Sequence, residues 1–466
     1  MGMYINVGNS GFAEILNGDY IDKTSLIAIM NARIHISDEK FVCISRPRRF
    51  GKSYTAQMLC AYYDCSCDSH ALFDGLEISK DASYQTHLNQ YQVIYLDMTN
   101  LLGKTKPENL IQFMEESIEE ELLAFYPDIQ KGKSFDQTLL NAVECSRKIV
   151  DGEEKKYKFI MIIDEWDAPI REAPKISEQY LNFLRMLFKS SGTTEKIFAG
   201  AYMTGILPIK KTKGQSAVSN FDEISILDPL EFAPFTGFTE EEVKKICSEK
   251  QMSFEEAKKW YDGYTIGDAK SIYNPYSVMK AMRSHQFKSY WRRTSASENL
   301  EILISINQDG LQEDILKLIA GEELQVDTED FNNDFENLAT KDDVLTLMIH
   351  LGYLSYDANT GYVRIPNEEI RTEFNKLLRS KKQTQLVSLI RSSEQLLNDT
   401  FDGNGNAVAE AIRKIRETNY APMHYNNEQS LRYAVKFAYI ICIDRYLKVE
   451  ELPSGKGLTD VVYIPK

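Results

Sequence analysis

One short loop sets the strongest constraint on the fold of this chain. Residues 46–53 lie between an apolar run at 41–45 and a helix-like run, and the loop ends in Gly51-Lys52-Ser53. This ending is typical of a loop that binds phosphate. Backbone N–H groups at the start of a helix meet the phosphate, the lysine reaches its β and γ oxygens, and the serine hydroxyl meets Mg²⁺.

A second motif follows much later in the chain. The apolar run 160–163 ends in Asp164 and Glu165. A buried strand that ends in two carboxylates supplies what phosphoryl transfer still needs, because Asp164 would hold Mg²⁺ through water and Glu165 would polarise the attacking water. We interpret the two motifs together as the site of a nucleoside triphosphate.

The loop departs from the general G-x-x-x-x-G-K pattern at its first position. That pattern places glycine at a sharp turn, where this chain has Arg46 followed by Pro47. The alternative interpretation is a surface loop that contains Gly-Lys-Ser by chance, together with an acidic strand end that caps a helix. The order of the two motifs, each after an apolar strand, favours the nucleotide site.

Strand-like and helix-like segments alternate through the first part of the chain. This alternation predicts an α/β fold of the P-loop NTPase type, with a parallel sheet and helices on both faces. The expected core is 1–227, followed by a helical lid and middle region at 228–378 and a last region at 379–466. Thr204 ends one buried strand, where many ATPases place a polar residue that senses the γ-phosphate; the alternative is a threonine that caps the strand end.

Composition limits the class of protein. The length of 466 residues suggests roughly three domains, and the sequence contains neither a membrane-length apolar stretch nor a signal peptide at its start. We therefore expect a cytoplasmic protein with no membrane contact. Seven cysteines, an odd number, fit reduced thiols. Although Cys60, Cys65, Cys67 and His70 cluster, their spacing matches no usual zinc pattern, so we predict no structural metal.

The formal charge of -15 argues against a protein whose whole surface binds nucleic acid, but the charge is unevenly distributed along the chain. Residues 379–466 contain 13 Lys and Arg against 10 Asp and Glu, whereas the preceding part contains 41 against 59. Only the last region therefore has a net positive charge that is compatible with binding a polyanion such as nucleic acid. We expect any DNA or protein partner to bind there.

Five strings, in order over most of the chain, resemble a known family. The family consists of bacterial proteins that join an AAA-ATPase-like N-terminal domain to a C-terminal domain of the PD-(D/E)XK nuclease superfamily. The strings are Tyr20-Ile21-Asp22-Lys23-Thr24, the loop at 46–53, Ile163-Asp164-Glu165-Trp166-Asp167-Ala168-Pro169, Trp260-Tyr261-Asp262-Gly263-Tyr264 and Tyr273-Asn274-Pro275-Tyr276-Ser277. In this family the resemblance implies that Arg46 and Pro47 are the normal form of the loop. The loop also resembles that of archaeal-type signal-transduction ATPases, which suggests a nucleotide-driven switch as much as a motor.

The resemblance and the two motifs together imply an ATP-binding protein that hydrolyses ATP with Mg²⁺ and whose nucleotide state controls the C-terminal domain. The alternative is a nucleotide-gated regulatory or scaffold module with little turnover. No obvious arginine finger stands in the sequence, which leaves room for one supplied by a second copy of the chain. The expected phosphate-binding residues are Arg48, Arg49, Phe50, Gly51, Lys52, Ser53 and Tyr54; the expected catalytic residues are Lys52, Glu165 and Thr204, and the expected Mg²⁺ ligands are Ser53 and Asp164.

The C-terminal end departs from the nuclease pattern that the resemblance implies. Glu428 and Asp460 occupy the positions of its first two acids, but no Glu-x-Lys follows Asp460 before Lys466. The chain as given is then either truncated or a degenerate nuclease, with a partial α/β nuclease-like domain at 379–466. The alternative is that Asp460 is an acid at a hairpin edge without function. We expect this chain not to cut DNA.

Overall fold

A five-stranded parallel sheet forms the centre of the first region in the computed structural model. The structure describes residues 2–465 except 147, 151–152, 190–191, 210, 213–214, 217, 219, 292–299, 301, 305–309, 330, 332–337, 339, 380–383, 420–430, 432–433, 437, 441, 443–445 and 455–456. The sheet has the order β2-β5-β6-β1-β9. Its strands are β1 (Phe41–Ser45), β2 (Gln92–Asp97), β5 (Phe159–Asp164), β6 (Phe198–Gly205) and β9 (Asp222–Ile224).

Helices cover both faces of this sheet. Along β5 the side chains alternate between the two faces: Phe159, Met161 and Ile163 join one apolar cluster, whereas Ile160 and Ile162 join the other. Because both faces are buried, the strands are continuous apolar runs, as parallel sheets require. The predicted α/β fold class is confirmed.

The remaining elements of the first region are short hairpins and the flanking helices. The hairpin strands are β3 (Lys148–Val150), β4 (Glu153–Lys155), β7 (Lys211–Thr212) and β8 (Gln215–Ser216). The helices are α1 (Ser10–Leu16), α2 (Leu26–Arg33), α3 (Lys52–Tyr63), α4 (His70–Phe73), α5 (Tyr84–His87), α6 (Met98–Lys104), α7 (Leu110–Phe125), α8 (Phe135–Cys145), α9 (Ala168–Glu172), α10 (Ser177–Phe188) and α11 (Thr194–Ile197).

The lid region contains a hairpin that the sequence analysis did not predict. Helices α12 (Glu240–Glu249), α13 (Phe254–Tyr261) and α14 (Pro275–Ser284) pack on one another, but β10 (Tyr264–Ile266) and β11 (Ala269–Ile272) pair antiparallel between the last two. The turn uses Gly267 at a φ of 58°, where glycine avoids the strain of a side chain. The segment expected to form a helical lid thus contains this hairpin in addition to its helices.

The middle region shares an apolar core with the phosphate loop. It contains α15 (Leu311–Ala320), α16 (Lys341–Leu351), α17 (Glu368–Arg379) and a small sheet of β12 (Leu324–Gln325), β13 (Ser355–Asp357) and β14 (Tyr362–Arg364). The apolar and aromatic runs Tyr353-Leu354-Ser355-Tyr356 and Tyr362-Val363-Arg364-Ile365 predict a hairpin, and β13 and β14 form it. Phe50 and Leu207, from the ends of β1 and β6, join the cluster that these elements bury. The middle region thus packs on the edge of the sheet where the phosphate loop lies.

The last region forms a separate apolar cluster. It contains α18 (Thr384–Phe401), α19 (Gly405–Asn419) and a hairpin of β15 (Tyr446–Ser454) with β16 (Gly457–Pro465). The domain boundaries given above stay a prediction. Within the residues described, no helix combines the length and the apolar character needed to cross a membrane.

Candidate functional site

The loop at 46–51 turns near its end rather than at its start. Arg46 continues the strand, since its N–H donates to the Gly205 carbonyl at 3.0 Å. The left-handed conformation falls instead on Arg49, with a φ of 72°, and on Gly51, with a φ of 90°. A glycine is therefore needed directly before α3 and not at position 46. This geometry accounts physically for the departure from the general pattern.

Arg46 is buried, and its side chain supports the start of the loop through neutral oxygen partners. The guanidinium donates to Thr236 Oγ1 at 2.8 Å and to the Ser45 and Ile224 carbonyls at 2.9 and 3.1 Å. Burial lowers the pKa of Arg46 to about 10. The side chain thus holds the start of the loop between β1, β9 and the lid.

Lys52 lies at the first position of α3 with its side chain almost fully buried. The Nζ donates to the carbonyls of Arg46 and Pro47 at 3.2 and 3.1 Å and lies 3.8 Å from Glu165 Oε1. The loop therefore curls over its own lysine. The ammonium group faces the acidic end of β5.

Three polar side chains end neighbouring strands in one row. The strand register pairs Asp97 with Asp164 and Asp164 with Thr204. Asp164 is buried and accepts a hydrogen bond from the Ser53 side chain. Burial, assisted by the nearby charges of Glu165 and Asp97, raises the pKa of Asp164 to about 6, although Ser53 and Lys52 act in the opposite direction.

Glu165 adopts a left-handed conformation, with a φ of 51°, that turns the chain away from the sheet. Its Oε1 faces Lys52, and its Oε2 accepts from Arg171 Nη2 at 2.9 Å. Arg171 was not predicted from the sequence. A signal existed in its position four residues after Asp167, because the two side chains pair on the same face of α9.

Thr204 lies in the row of strand ends, but its hydroxyl donates to the Ile44 carbonyl at 3.1 Å. Among the described residues that line the cavity discussed below, neither Thr204 nor Asp164 appears. This geometry fits the alternative of a threonine that caps the strand end. Its role as a γ-phosphate sensor stays a prediction.

A cavity of about 410 Å³ opens beside the phosphate loop. Lys52, Ser53 and Glu165 contribute to one end, which we call the phosphate end. The other end is mostly apolar and includes side chains from residues 19–23, which we call the entry segment, from α3 and from the lid. We call this set the apolar wall, and it consists of Tyr20, Ile21, Met58, Phe235, Phe238, Tyr276 and Met279. The sequence analysis named none of the wall residues as functional.

The other loop residues predicted to bind phosphate lie in different surroundings. Arg49 donates to the Tyr290 carbonyl at 2.9 Å and stacks over the Tyr276 ring at 4.1 Å, and it lines the cavity. Phe50 is buried edge-on against Tyr264, whereas Tyr54 is exposed at the cavity. The Arg48 carbonyl accepts from Asn274 Nδ2 at 3.4 Å.

Ion pairs tie the entry segment to the lid at the rim of the cavity. Lys23 Nζ contacts both carboxylate oxygens of Glu242, at 2.6 and 2.7 Å, and the Pro234 carbonyl at 2.7 Å. Asp19 pairs with Lys250 and Arg283 at 2.8 and 3.0 Å. The apolar wall is thus held together by contacts between segments that lie far apart in the sequence.

The two acids predicted for a nuclease site cannot be placed together. Glu428 lies outside the described residues, and the structure describes only the backbone of Asp460, which is in β16 opposite the strand β15. The nuclease-like assignment and the expected absence of DNA cleavage stay predictions.

A family model matches the first region of the chain. Residues 6–213 match a family model described as "Predicted AAA-ATPase". No curated protein matches the chain significantly.

Solved structures give only a distant likeness. Cdc6p from Pyrobaculum aerophilum is 13% identical, with 78% of this chain and 94% of that chain covered and a TM-score of 0.27. ORC2 from Aeropyrum pernix, in ADPNP–ADP complexes, is 14% identical, with 77% of this chain and 94% of that chain covered and a TM-score of 0.27. Drosophila ORC bound to DNA is 11% identical, with 77% of this chain and 86% of that chain covered and a TM-score of 0.28. At such TM-scores the structural likeness supports no conclusion about this chain. The description of residues 6–213 as an AAA-ATPase-like domain rests on the family match alone.

Proposed function

We propose that the protein binds ATP at the cavity beside the phosphate loop and hydrolyses it with Mg²⁺. The observation that carries the proposal is the position of Lys52, whose Nζ lies 3.8 Å from Glu165 Oε1 at the phosphate end of the cavity. A fixed cation next to a carboxylate, at the start of a helix, provides both the phosphate contact and the base. The AAA-ATPase-like match over residues 6–213 supports the same class.

Phosphate binding requires donors that are already oriented. The α3 N-terminus offers unpaired N–H groups directly after Gly51, and Lys52 would exchange its bonds to the Arg46 and Pro47 carbonyls for phosphate oxygens. The loop carbonyls would then need no large movement, because the lysine side chain alone changes partner. Arg49 lines the cavity and adds a second positive charge.

Ser53 and Asp164 fit Mg²⁺ by the chemistry of their donor atoms. A hydroxyl and a buried carboxylate, already in hydrogen-bond contact, are hard oxygen ligands, and they lie beside the lysine that would contact the phosphates. Mg²⁺, when bound, supplies positive charge that neutralises the phosphate oxygens. Asp164 would hold it through water, and it must lose its proton to do so.

Glu165 is placed to accept a proton from water. Its carboxylate is partly exposed in the cavity, one oxygen faces Lys52, and the other is held by Arg171. A water between Oε1 and the phosphate that Lys52 contacts would lose its proton to Glu165 as it attacks. Positioned general bases contribute roughly 10²–10⁴ to rate.

A second candidate function is a regulatory module that binds ATP tightly and turns it over slowly. The observation that favours it is the set of rim ion pairs, Lys23 with Glu242 and Asp19 with Lys250 and Arg283, which would close the lid over bound nucleotide. In both candidates the nucleotide state would act on the last region. That region would recruit DNA or a protein partner, and a second copy of the chain would supply any arginine finger.

The test measures phosphate release and nucleotide affinity on one preparation. Wild-type protein should bind ATP with Mg²⁺ and release phosphate, whereas Glu165→Gln should bind ATP equally well and turn it over at least about 100-fold more slowly. Glu178→Gln, which changes an exposed carboxylate on α10 that pairs with Arg185 and does not contact Arg171, is the matched control and should hydrolyse ATP normally. Tight binding with negligible wild-type turnover would favour the regulatory module. Failure of ATP and Mg²⁺ to raise the melting temperature would reject both.

A further inference from the structure

Arg171 occupies a fixed place beside Glu165 that the phosphate chemistry described so far does not use. Its guanidinium bridges Glu165 and Asp167: Nη2 donates to Glu165 Oε2 at 2.9 Å, and Nε donates to Asp167 Oδ2 at 2.8 Å. A longer contact, at 3.4 Å, joins Nη1 to Oε1 of the more exposed Glu172. Only about 10% of the side chain is exposed. The arginine therefore has little freedom to leave Glu165.

The second carboxylate anchors the arginine to the sheet. Asp167 is buried, and its Oδ2 also accepts from the backbone N–H groups of Ile206 and Leu207 at 3.3 and 3.1 Å, directly after β6. Burial alone lowers the pKa of Arg171, but the charges of Asp167 and Glu165 outweigh it and raise that pKa above its usual value. Arg171 is thus a permanent cation fixed to the same sheet as the phosphate loop.

The two cations next to Glu165 differ in what they do when nucleotide binds. Lys52 would turn to the phosphates, so Glu165 loses one positive neighbour just as negative phosphate oxygens approach. A carboxylate without another partner would turn away from those oxygens. Arg171 lies on the opposite side of the carboxylate, holds Oε2, and leaves Oε1 directed toward Lys52.

We propose that Arg171 is a positioning residue that keeps Glu165 directed at the attacking water during ATP hydrolysis, acting through Oε2 and not through the phosphates. The inference rests on the proposed ATPase function. It also supplies, within one chain, a cation beside the γ-phosphate position that the sequence did not reveal. Arg171 is not among the described residues that line the cavity, which is why we assign it no direct contact with nucleotide.

The proposal predicts which kinetic constant changes. Arg171→Ala should lower kcat roughly 10- to 100-fold, because a displacement of about 1 Å at a reacting group costs on that order. The dissociation constant for ATP, measured by calorimetry with a non-hydrolysable analogue, should change less than about threefold. Arg171→Lys should recover part of kcat, since a lysine keeps the charge but cannot bridge both carboxylates.

A double-mutant cycle decides whether Arg171 acts through Glu165. Arg171→Ala should slow the wild-type protein but leave the residual rate of Glu165→Gln unchanged. If the arginine variant slows Glu165→Gln by the same factor as wild type, Arg171 acts on the phosphates directly and the proposal is wrong. Equal kcat for wild type and Arg171→Ala would also overturn it. Absence of wild-type turnover would instead reject the ATPase function.

Two further variants separate positioning from loss of folding. Asp167→Asn keeps Arg171 but weakens its anchor, and it should lower kcat in the same direction with ATP affinity retained. Arg185→Ala removes an arginine from an Arg–Glu pair on the surface of α10, where Arg185 lies 2.9 Å from Glu178, and should leave kcat unchanged. If kcat falls in Arg171→Ala but not in Asp167→Asn, with all melting temperatures equal, the anchored geometry is not what matters and the proposal fails.

Discussion

The phosphate end and the apolar wall of the cavity are built in different ways. The phosphate end comes from a continuous strand, loop and helix, β1 to α3, together with the end of β5, which is separated from β1 by β6. The wall takes side chains from residues 20–21, from α3 and from residues 235–279. One end is thus a local motif set on a sheet, and the other exists only when distant segments pack.

The two ends should therefore contribute to nucleotide binding through different interactions, one electrostatic and the other apolar. The phosphate end concentrates charge on Lys52 in a nearly buried position, where the effective dielectric constant is low and the loss of one group is costly. The wall spreads apolar contact over many side chains, so each contributes a fraction of the whole. Substitutions at the two ends should therefore differ in size and in their dependence on the γ-phosphate.

The largest effect should follow from Lys52→Ala. The variant loses the cation that the buried loop is shaped around, and ATP affinity should fall at least about 100-fold, or about 2.7 kcal/mol. Calorimetric titration with ATP and Mg²⁺ measures it. Lys280→Ala is the matched control, because this lysine also lines the cavity but lies near the Tyr276 ring at 5.5 Å. A similar loss in both variants would mean that general positive charge, and not the loop, binds the phosphates.

A smaller effect should follow from truncating the wall. Met279→Ala removes an apolar side chain on α14 that lines the cavity, and affinity should fall roughly 10-fold, equally for ATP and ADP. The equal loss is expected because the wall does not contact the γ-phosphate. Met252 packs against the same lid core but does not line the cavity, so Met252→Ala serves as the control. A loss confined to ATP would erase the distinction between the two ends.

The sequence predicted the phosphate end because its chemistry depends on neighbours in the chain. Gly51, Lys52 and Ser53 are consecutive, and a buried strand that ends in Asp164 has a visible apolar pattern. The parallel sheet followed from the alternation of such runs. The β10–β11 hairpin was missed although Gly267-Asp268, the two residues between its strands, are typical of a hairpin turn.

The wall and Arg171 escaped prediction for a different physical reason. An apolar residue that lines a cavity has the same pattern as one that fills a core, so Met58 and Met279 carry no local sign of their position. Arg171 has one sequence signal, its spacing of four residues from Asp167, but its 2.9 Å contact with Glu165 depends on the turn at Glu165. Thr204 lies in the predicted row of strand ends, where its hydroxyl donates to the Ile44 carbonyl, and its role as a γ-phosphate sensor stays a prediction.

The smallest effect should come from the support behind the phosphate end. Glu369 on α17 is buried and accepts from the Tyr290 N–H at 2.7 Å, and the Tyr290 carbonyl in turn accepts from Arg49. Burial raises the pKa of Glu369 to about 7; the bond from the Tyr290 N–H opposes this shift, neighbouring Glu373 acts in the same direction as burial, and the charge of Arg49 also opposes it. Glu373 itself binds Ser289 and Lys376.

The sign of the resulting pH dependence follows from linkage. Between about pH 4.5 and pH 7 the unfolded chain has lost the Glu369 proton while the folded protein keeps it, so this group makes the free energy of unfolding decrease as pH rises, by at most about 1.4 kcal/mol per pH unit. Glu369→Gln cannot ionise and keeps an acceptor for Tyr290. Its melting temperature relative to wild type should therefore be higher at pH 8 than at pH 5, by roughly 2–4 °C.

The same variant tests how far the phosphate end extends. Because Glu369 reaches Arg49 only through the Tyr290 backbone, ATP affinity at pH 8 should change less than about threefold, well below the loss expected at Met279. Thermal melting at both pH values and calorimetric titration at pH 8 measure the two effects. An unchanged melting difference would mean that Glu369 does not titrate in this range. A 10-fold change in ATP affinity would instead make α17 part of the phosphate end, so that this end, like the wall, would depend on segments far apart in the chain.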